Sequence, residues 1–167
     1  MMLEIAIDSD AEWDSKGAWA ELARAAAEAA IAESAFPQLS RSDRTIELSL
    51  RLTGDEEVRE LNSAWRGKDK PTNVLSFPMA ETEELKAAGE GPELMLGDIV
   101  LARGVCAAEA QEKAIALEDH AAHLIVHGTL HLLGYDHGED GAAADMEARE
   151  VRALARLGIA DPYEARS

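Results

Sequence analysis

The chain has 167 residues, of which 47% are hydrophobic, a length and composition typical of one globular domain with a substantial core. Its formal net charge of −17 excludes a generally basic, polyanion-binding surface, so any contact with nucleic acid is expected to be local. The single cysteine, Cys106, excludes an internal disulfide and fits a reducing compartment.

The sequence also predicts a protein without a membrane association. It has no apolar run of transmembrane length, and its first ten residues, MMLEIAIDSD, lack the basic region that opens a secretory signal. We therefore expect a soluble, cytoplasmic protein.

The N-terminal part of the chain predicts a strand, a helix and a second strand. Residues 3 to 7 alternate between apolar and polar side chains, which indicates a short strand. The alanine-rich segment from Lys16 to Ser34 has apolar residues along one stripe and Pro37 just beyond it, which predicts a long helix. Strict alternation from Thr45 to Leu52 predicts a half-buried strand. Its predicted buried face consists of Ile46, Leu48, Leu50 and Leu52.

A second helix is predicted directly after this strand. Thr53 and Glu56 have the T-x-x-E spacing of a capping box, and apolar residues continue at helical spacing until Gly67. Arg66 is therefore expected at the C-terminus of a helix.

Residues 66 to 78, RGKDKPTNVLSFP, combine a polar loop with a short strand. The polar half is expected to be exposed, and it concentrates positive charge in an otherwise acidic chain. For Lys68 and Lys70, ordinary solvated loop residues are the preferred interpretation. Residues 73 to 77 predict an apolar strand that is closed by Pro78.

The remaining elements complete the predicted fold. Residues 80 to 92 are acidic and contain glycine, which indicates a mobile surface loop, and an interior strand is expected at 96 to 101. Helices are predicted at 104 to 113 and at 139 to 157, the last one ending at Gly158. This order is typical of an α+β or α/β domain. We expect the α+β class: one domain over residues 1–167, with a small mixed four-stranded sheet, about five helices and a central metal-binding helix.

All five histidines lie within the eighteen residues from His120 to His137. In a helix, residues three and four apart share one face. The histidines that share this face are His120, His123, His127 and His131. The other faces are apolar, so the helix is expected to be buried, with Gly134 as its C-terminal stop.

The histidine spacing predicts a catalytic metal site. His127 and His131, at i and i+4, can bind one ion, and His137 from the following turn supplies a third nitrogen while a fourth position stays open. The alternative is a set of hydrogen-bonded core histidines, which we prefer for His120 and His123. For the other three, burying uncompensated imidazoles is costly, and a shared ion removes that cost.

The residues around this site favour phosphodiester over peptide hydrolysis. The glutamate of an H-E-x-x-H motif is replaced by Gly128, so the expected nucleophile is a water molecule activated by the metal. Arg66 is a candidate to stabilise charge on a phosphate, because its guanidinium matches phosphate oxygens. Because glycine within a helix costs about 1 kcal/mol relative to alanine, we expect another backbone or the substrate to approach Gly128 closely.

Three segments resemble one known family. HGTLHLLGYDH at 127 to 137 is similar to the H-G-x-L-H-L-x-G-Y-D-H signature of the YbeY family of bacterial endoribonucleases and rRNA maturation factors, and RGKDKPTNVLSFP at 66 to 78 and LGDIVLA at 96 to 102 agree with it. The resemblance extends from about Glu56 to His137. At Asn73 many family members have aspartate.

The resemblance implies a metal-dependent, single-strand-specific endoribonuclease that acts in rRNA processing, at the 3′ end of 16S rRNA, and in ribosome quality control. It assigns His127, His131 and His137 as ligands of one zinc ion per chain, and Arg66 as the functional arginine. The implied partners are single-stranded ribosomal RNA, the small ribosomal subunit, ribosomal protein S11 and a ribosome-associated GTPase. Three nitrogen ligands independently favour zinc, although nickel or copper would bind the same set.

Two alternatives remain open at this point. One is a metallohydrolase of another class, such as a peptidase, against which Gly128 argues. The other is a non-catalytic ribosome assembly factor that a metal only stabilises, and the net charge of −17 supports it because a nuclease is expected to attract RNA.

Overall fold

A computed structural model of the chain describes residues 1–13, 18–86, 93–135 and 140–163. The helices and strands, in chain order, are β1 (Met2–Ser9), α1 (Ala18–Ala32), β2 (Thr45–Thr53), α2 (Asp55–Arg66), β3 (Val74–Pro78), α3 (Thr82–Lys86), β4 (Leu94–Ala102), α4 (Arg103–Lys113), α5 (Leu117–Leu132) and α6 (Asp140–Arg156). Short 3-10 turns precede α1 and β2.

The four strands form one mixed sheet in the order β1-β2-β4-β3. β1, β2 and β4 are parallel, and β3 pairs with β4 in the antiparallel direction at one edge. The parallel neighbours need helical crossovers, which α1 and α2 supply. The predicted α+β class and mixed four-stranded sheet are confirmed, and the described residues contain six α-helices where about five were predicted.

The sheet buries its two faces in different ways. The predicted inward face of β2 is confirmed, because its four apolar side chains are at most 1% exposed within the main core. α1 and α5 pack over this face. On the opposite face, a smaller cluster lies under α2 and α4. It consists of Val58, Leu75, Val100 and Ala102, with Leu61, Phe77 and Val105 packed against it.

The predicted capping box is wrong. Thr53 belongs to β2, where it pairs with Ala102, and its hydroxyl donates to the Asp10 carboxylate at 3.3 Å. Sheet pairing therefore holds this side chain away from the helix, and Gly54 precedes α2 without a side-chain cap. The predicted end is confirmed: Gly67 adopts the left-handed conformation at φ 70°, directly after Arg66.

The segment predicted as a surface loop contains a short helix, α3. Leu85 is 2% exposed and anchors this helix in the main core, which is why an acidic stretch folds there. Residues 87–92 of the predicted loop, and residues 16–17 at the predicted start of α1, lie outside the described residues.

Gly97 lies beside a register shift between β2 and β4 and at a close approach of β3. The pairing of β2 with β4 shifts register here, and Gly97 has φ 143°. A Cβ on this residue would lie 2.3 Å from the backbone oxygen of Phe77. Only glycine therefore permits this approach of the edge strand.

α5 is the buried central helix that the sequence predicts. It packs against α1, β3, β4, α4 and α6. Gly134 follows it with φ 98°, and the Tyr135 amide donates to the Leu130 carbonyl at 3.1 Å, which closes the helix. A Cβ on Gly128 would lie 3.1 Å from both Ile99 and Ser76, so in the described structure the close approach comes from strand side chains and not from another backbone. Within the described ranges, no helix is long and apolar enough to cross a membrane.

Candidate metal centre

α5 brings His127 and His131 together. Their Nε2 atoms are 3.0 Å apart and their ring centroids 4.5 Å apart, as expected for one helical turn. Both rings are half-buried and line a pocket of about 620 Å³. Two of the three predicted ligands therefore meet at one point.

The other ring nitrogen of each histidine is held by an acceptor. His127 Nδ1 bonds to the Glu150 carboxylate at 3.0 Å, and His131 Nδ1 bonds to the carbonyl oxygen of Tyr135 at 2.7 Å. A carbonyl and an ionised carboxylate can only accept, so each Nδ1 carries the proton. In the neutral rings, each Nε2 then has a lone pair directed at the other.

Two facing lone pairs at 3.0 Å repel each other unless they share a cation. Imidazole nitrogens whose second nitrogen donates to a carboxylate or carbonyl are the usual ligand arrangement of zinc sites. The donor chemistry of this pair therefore fits a divalent metal ion.

Glu150 is the central acceptor behind the pocket. Its carboxylate is fully buried and accepts hydrogen bonds from His123 Nε2 at 2.8 Å, His127 Nδ1 at 3.0 Å and the Tyr163 hydroxyl at 2.5 Å. Burial by itself raises the pKa of Glu150, but the hydrogen bonds from His123 and His127 outweigh it and lower the pKa to about 2. The carboxylate is therefore ionised at neutral pH.

The sequence interpretation missed Glu150, although α6 contains a signal for it. Met146, Ala153 and Leu154 are buried and follow the i, i+7, i+8 stripe of an amphipathic helix. Glu150 occupies the i+4 position of the same stripe. A carboxylate at a core position is a candidate partner for a buried histidine.

His120 and His123 do not line the pocket. His120 Nε2 bonds to Glu109 at 2.8 Å and His123 Nε2 to Glu150, and both side chains are buried. Burial lowers the pKa of His120 and outweighs the opposing hydrogen bond to Glu109, which favours the neutral ring. These contacts agree with the preferred interpretation of both residues as hydrogen-bonded core histidines.

The third predicted ligand, His137, lies outside the described residues. Among the residues that are described, no three histidine, cysteine, aspartate or glutamate side chains are grouped to hold a metal. The described segment that contains α5 ends at Tyr135, which lines the same pocket as His127 and His131.

Arg66 also lines this pocket. It is exposed at the end of α2, and the loop and edge strand that follow it supply Thr72, Asn73, Val74, Ser76 and Pro78 to the same pocket. In the described part of the chain, Arg66 forms no ion pair. Arg66 and the two histidines therefore line one open space.

Asn73 fixes the start of the edge strand. Its side-chain oxygen accepts from the Val74 amide at 2.7 Å, and its Nδ2 donates to Glu109 at 3.0 Å. Because Glu109 also bonds to His120, this network connects the wall of the pocket to α4 and α5.

The comparisons with known proteins agree with one another. A family model described as Endoribonuclease YbeY matches residues 7–158. A protein of Sphingopyxis alaskensis named Endoribonuclease YbeY is 51% identical over 164 residues, which cover 97% of this chain and 98% of that protein. A protein of the same name from Erythrobacter litoralis is 51% identical over 171 aligned residues and the full length of both chains.

A solved structure supports the fold. The solution structure of TM1509 from Thermotoga maritima aligns with a TM-score of 0.52 and 22% sequence identity. The alignment covers 99% of this chain and 100% of that one. At this identity the likeness bears on the fold alone.

Proposed function

The chain belongs to the YbeY endoribonuclease family, and from this premise we propose that it is a metal-dependent endoribonuclease specific for single-stranded RNA in ribosomal RNA processing. The observation that carries the proposal is the facing Nε2 pair of His127 and His131 in the same pocket as Arg66. Ligands for a metal and a binder for phosphate are thereby close together.

The proposed metal ligands are His127, His131 and His137. Chain connectivity supports the third, because two peptide units span at most about 7 Å and Tyr135 lines the pocket. Imidazole donors suit one zinc ion per chain, whose chemistry is to polarise a phosphoryl oxygen and to lower the pKa of water.

The described residues have separate tasks in this proposal. Glu150 and the Tyr135 carbonyl hold the Nδ1 protons of the two histidines, so that Nε2 remains available as a ligand. Arg66 binds the scissile phosphate with its guanidinium fork and stabilises the charge that develops on the phosphoryl oxygens. The edge strand β3 and α5 enclose the reacting group between them.

The finer parts of the proposal follow from the family resemblance. They are action at the 3′ end of 16S rRNA, a role in ribosome quality control, and association with the small subunit, ribosomal protein S11 and a ribosome-associated GTPase. Cys106 is a buried free thiol, which is compatible with the cytoplasm as the place of action.

The test combines metal content with cleavage. Freshly purified protein and its His127→Ala variant are analysed by mass spectrometry for metal, by circular dichroism for folding, and with a single-stranded fragment from the 3′ end of 16S rRNA. The expected result is about one zinc per wild-type chain with cleavage, and a folded variant with neither. The same fragment annealed to its complement is expected to stay intact, and casein to remain undigested.

Two results would overturn the proposal. Wild-type protein that holds zinc but leaves the RNA intact would favour the non-catalytic assembly factor. Digestion of casein without cleavage of RNA would favour a peptidase.

A further inference from the structure

Trp65 is a large aromatic side chain on the surface beside the candidate site. It is 72% exposed at the last turn of α2 and immediately precedes Arg66. The next residue, Arg66, lines the metal pocket, and because adjacent side chains of a helix do not face each other, Trp65 lines a different space.

A second aromatic ring supports Trp65. The ring centroids of Trp65 and Phe77 are 6.3 Å apart with an interplanar angle of 65°, an edge-type arrangement that is favourable for aromatic pairs. Phe77 is half-buried against the smaller cluster under α2. The indole is therefore anchored on one side while most of its surface faces solvent.

Trp65 and Phe77 line a groove of about 510 Å³ with Met79, which is 59% exposed. This groove and the metal pocket lie on opposite sides of β3, because alternate side chains of the strand enter each: Ser76 lines the pocket and Phe77 the groove. The edge strand thus lies between the two spaces and lines both of them.

The loop that follows Trp65 carries cations that a polyanion with apolar faces would need, and the carboxylate within it, Asp69, is paired with Arg59. Lys68 and Lys70 follow Arg66, all three are exposed, and none forms an ion pair with any side chain in the described ranges. They lie together in a chain of net charge −17. The groove itself is lined by Asp98 and by Arg51, which is paired with Asp8 and Glu57, so the cations available to phosphates lie on the loop and not in the groove.

We propose that Trp65, supported by Phe77, is a stacking platform for a base of the single-stranded RNA substrate, flanked by phosphate contacts from Lys68 and Lys70. The inference rests on the proposed function, because it takes its ligand from that reaction. Aromatic surfaces next to a cationic backbone path are the usual means of binding single strands without reading their sequence. In a duplex the faces of the bases are already covered by stacking on their neighbours, so the platform would bind single strands only.

Fluorescence provides a test that does not depend on cleavage. The chain has three tryptophans, of which Trp13 is 1% exposed and Trp19 half-buried, so Trp65 dominates the solvent-exposed emission. Purified protein as isolated is mixed in a stopped-flow instrument with octauridylate, and emission is read before turnover. We expect quenching by octauridylate, and none by an abasic octamer of equal charge or by duplex RNA.

Two substitutions separate stacking from simple apolar contact. Trp65→Phe keeps an aromatic face, whereas Trp65→Leu keeps apolar area without one. By anisotropy of labelled octauridylate, Trp65→Leu is expected to bind about 5- to 150-fold more weakly and Trp65→Phe nearly as well as the wild type. In Lys68→Gln or Lys70→Gln, the negative slope of log affinity against log salt should become shallower by about 0.7, the value of one phosphate contact. The control Lys86→Gln should have the slope of the wild type.

The outcomes distinguish this inference from the proposed function. Quenching by octauridylate without cleavage would support the stacking platform and contradict the proposed nuclease activity. If RNA is cleaved but Trp65→Leu binds octauridylate as tightly as the wild type, or if the abasic octamer quenches as strongly as octauridylate, the stacking platform is overturned. The groove would then be assigned to contact with an apolar surface of a protein partner.

Discussion

Glu150 accepts a hydrogen bond from Nδ1–H of His127 at 3.0 Å across the interface between α6 and α5, although the two residues are 23 positions apart in sequence. The same fully buried carboxylate uses its other oxygen for His123 at 2.8 Å. A group outside the histidine segment therefore decides which nitrogen of His127 carries the proton and which is available to a metal.

The first prediction follows from this contact. One oxygen of Glu150 accepts from both His123 and Tyr163, so in Glu150→Gln the amide oxygen is expected to take that place and the NH₂ group to face His127. The His127 ring then loses the acceptor that fixes its tautomer. Loss of such a supporting partner typically weakens metal binding by about 10- to 100-fold. Zinc affinity measured by competition with a chromophoric chelator checks this.

The control for that substitution is Glu28→Gln, which removes the same charge from an exposed position on α1. Its zinc affinity should equal that of the wild type. Unchanged affinity in a folded Glu150→Gln variant would show that the carboxylate has no influence on the ligand.

A second prediction concerns the thiol of Cys106. Burial, assisted by the Glu109 carboxylate, raises its pKa from the usual 9.0 to about 12, and its Sγ contacts the Asn73 carbonyl oxygen at 3.6 Å. Because only the thiolate reacts, the fraction available at pH 8 is about one in ten thousand. Iodoacetamide should therefore leave the native protein unmodified by mass spectrometry and alkylate it in urea. Alkylation of the native protein at the rate of a free thiol would contradict this burial.

The third prediction concerns Gly97, where β3 approaches β4 closely. In Gly97→Ala, the new methyl group would lie 2.3 Å from the backbone oxygen of Phe77, and alanine would also have to adopt φ 143°. Urea denaturation should show a loss of about 3 kcal/mol or more in the free energy of unfolding.

Gly158→Ala is the matched control for this substitution. Gly158 also has a positive φ of 75°, but nothing lies within 4 Å of the added methyl group, so the expected loss is only about 1 kcal/mol. Equal losses in the two variants would mean that backbone conformation, and not the approach of β3, explains Gly97.

The parts of this molecule that were predictable from sequence are those determined by local periodicity. Alternation in β2 predicts which side chains are buried, because a strand presents every second residue to the same face. Helical spacing likewise places His127 and His131 one turn apart, and their rings do meet.

The parts that were missed depend on contacts between distant segments. Glu150 reaches His127 only because α6 packs on α5, and no local pattern specifies that packing. Thr53 has capping spacing, but pairing with β4 retains it in the sheet. Leu85 turns an acidic stretch into a helix by entering the core. His137 remains a predicted ligand, since it lies outside the described residues.

The last prediction tests the phosphate-binding role of Arg66. Arg66→Glu removes the guanidinium and places a negative charge where the scissile phosphate is proposed to bind. Removal of one group that stabilises the transition state typically lowers the rate by about 100- to 1000-fold, and the added repulsion increases that loss. Cleavage of the single-stranded 16S fragment under single-turnover conditions measures it.

Zinc content and melting temperature should be nearly unchanged in this variant. Arg66 is exposed, and within the described residues it forms no ion pair, so the main cost to the fold is the reversed charge in the last turn of α2, about 1 kcal/mol. Lys86→Glu makes a charge reversal of the same size on α3 with a side chain that does not line the pocket, and should cleave normally. Equal loss of cleavage in both variants would point to general repulsion of RNA by an acidic chain, whereas loss of zinc in Arg66→Glu would place the arginine in the metal site itself.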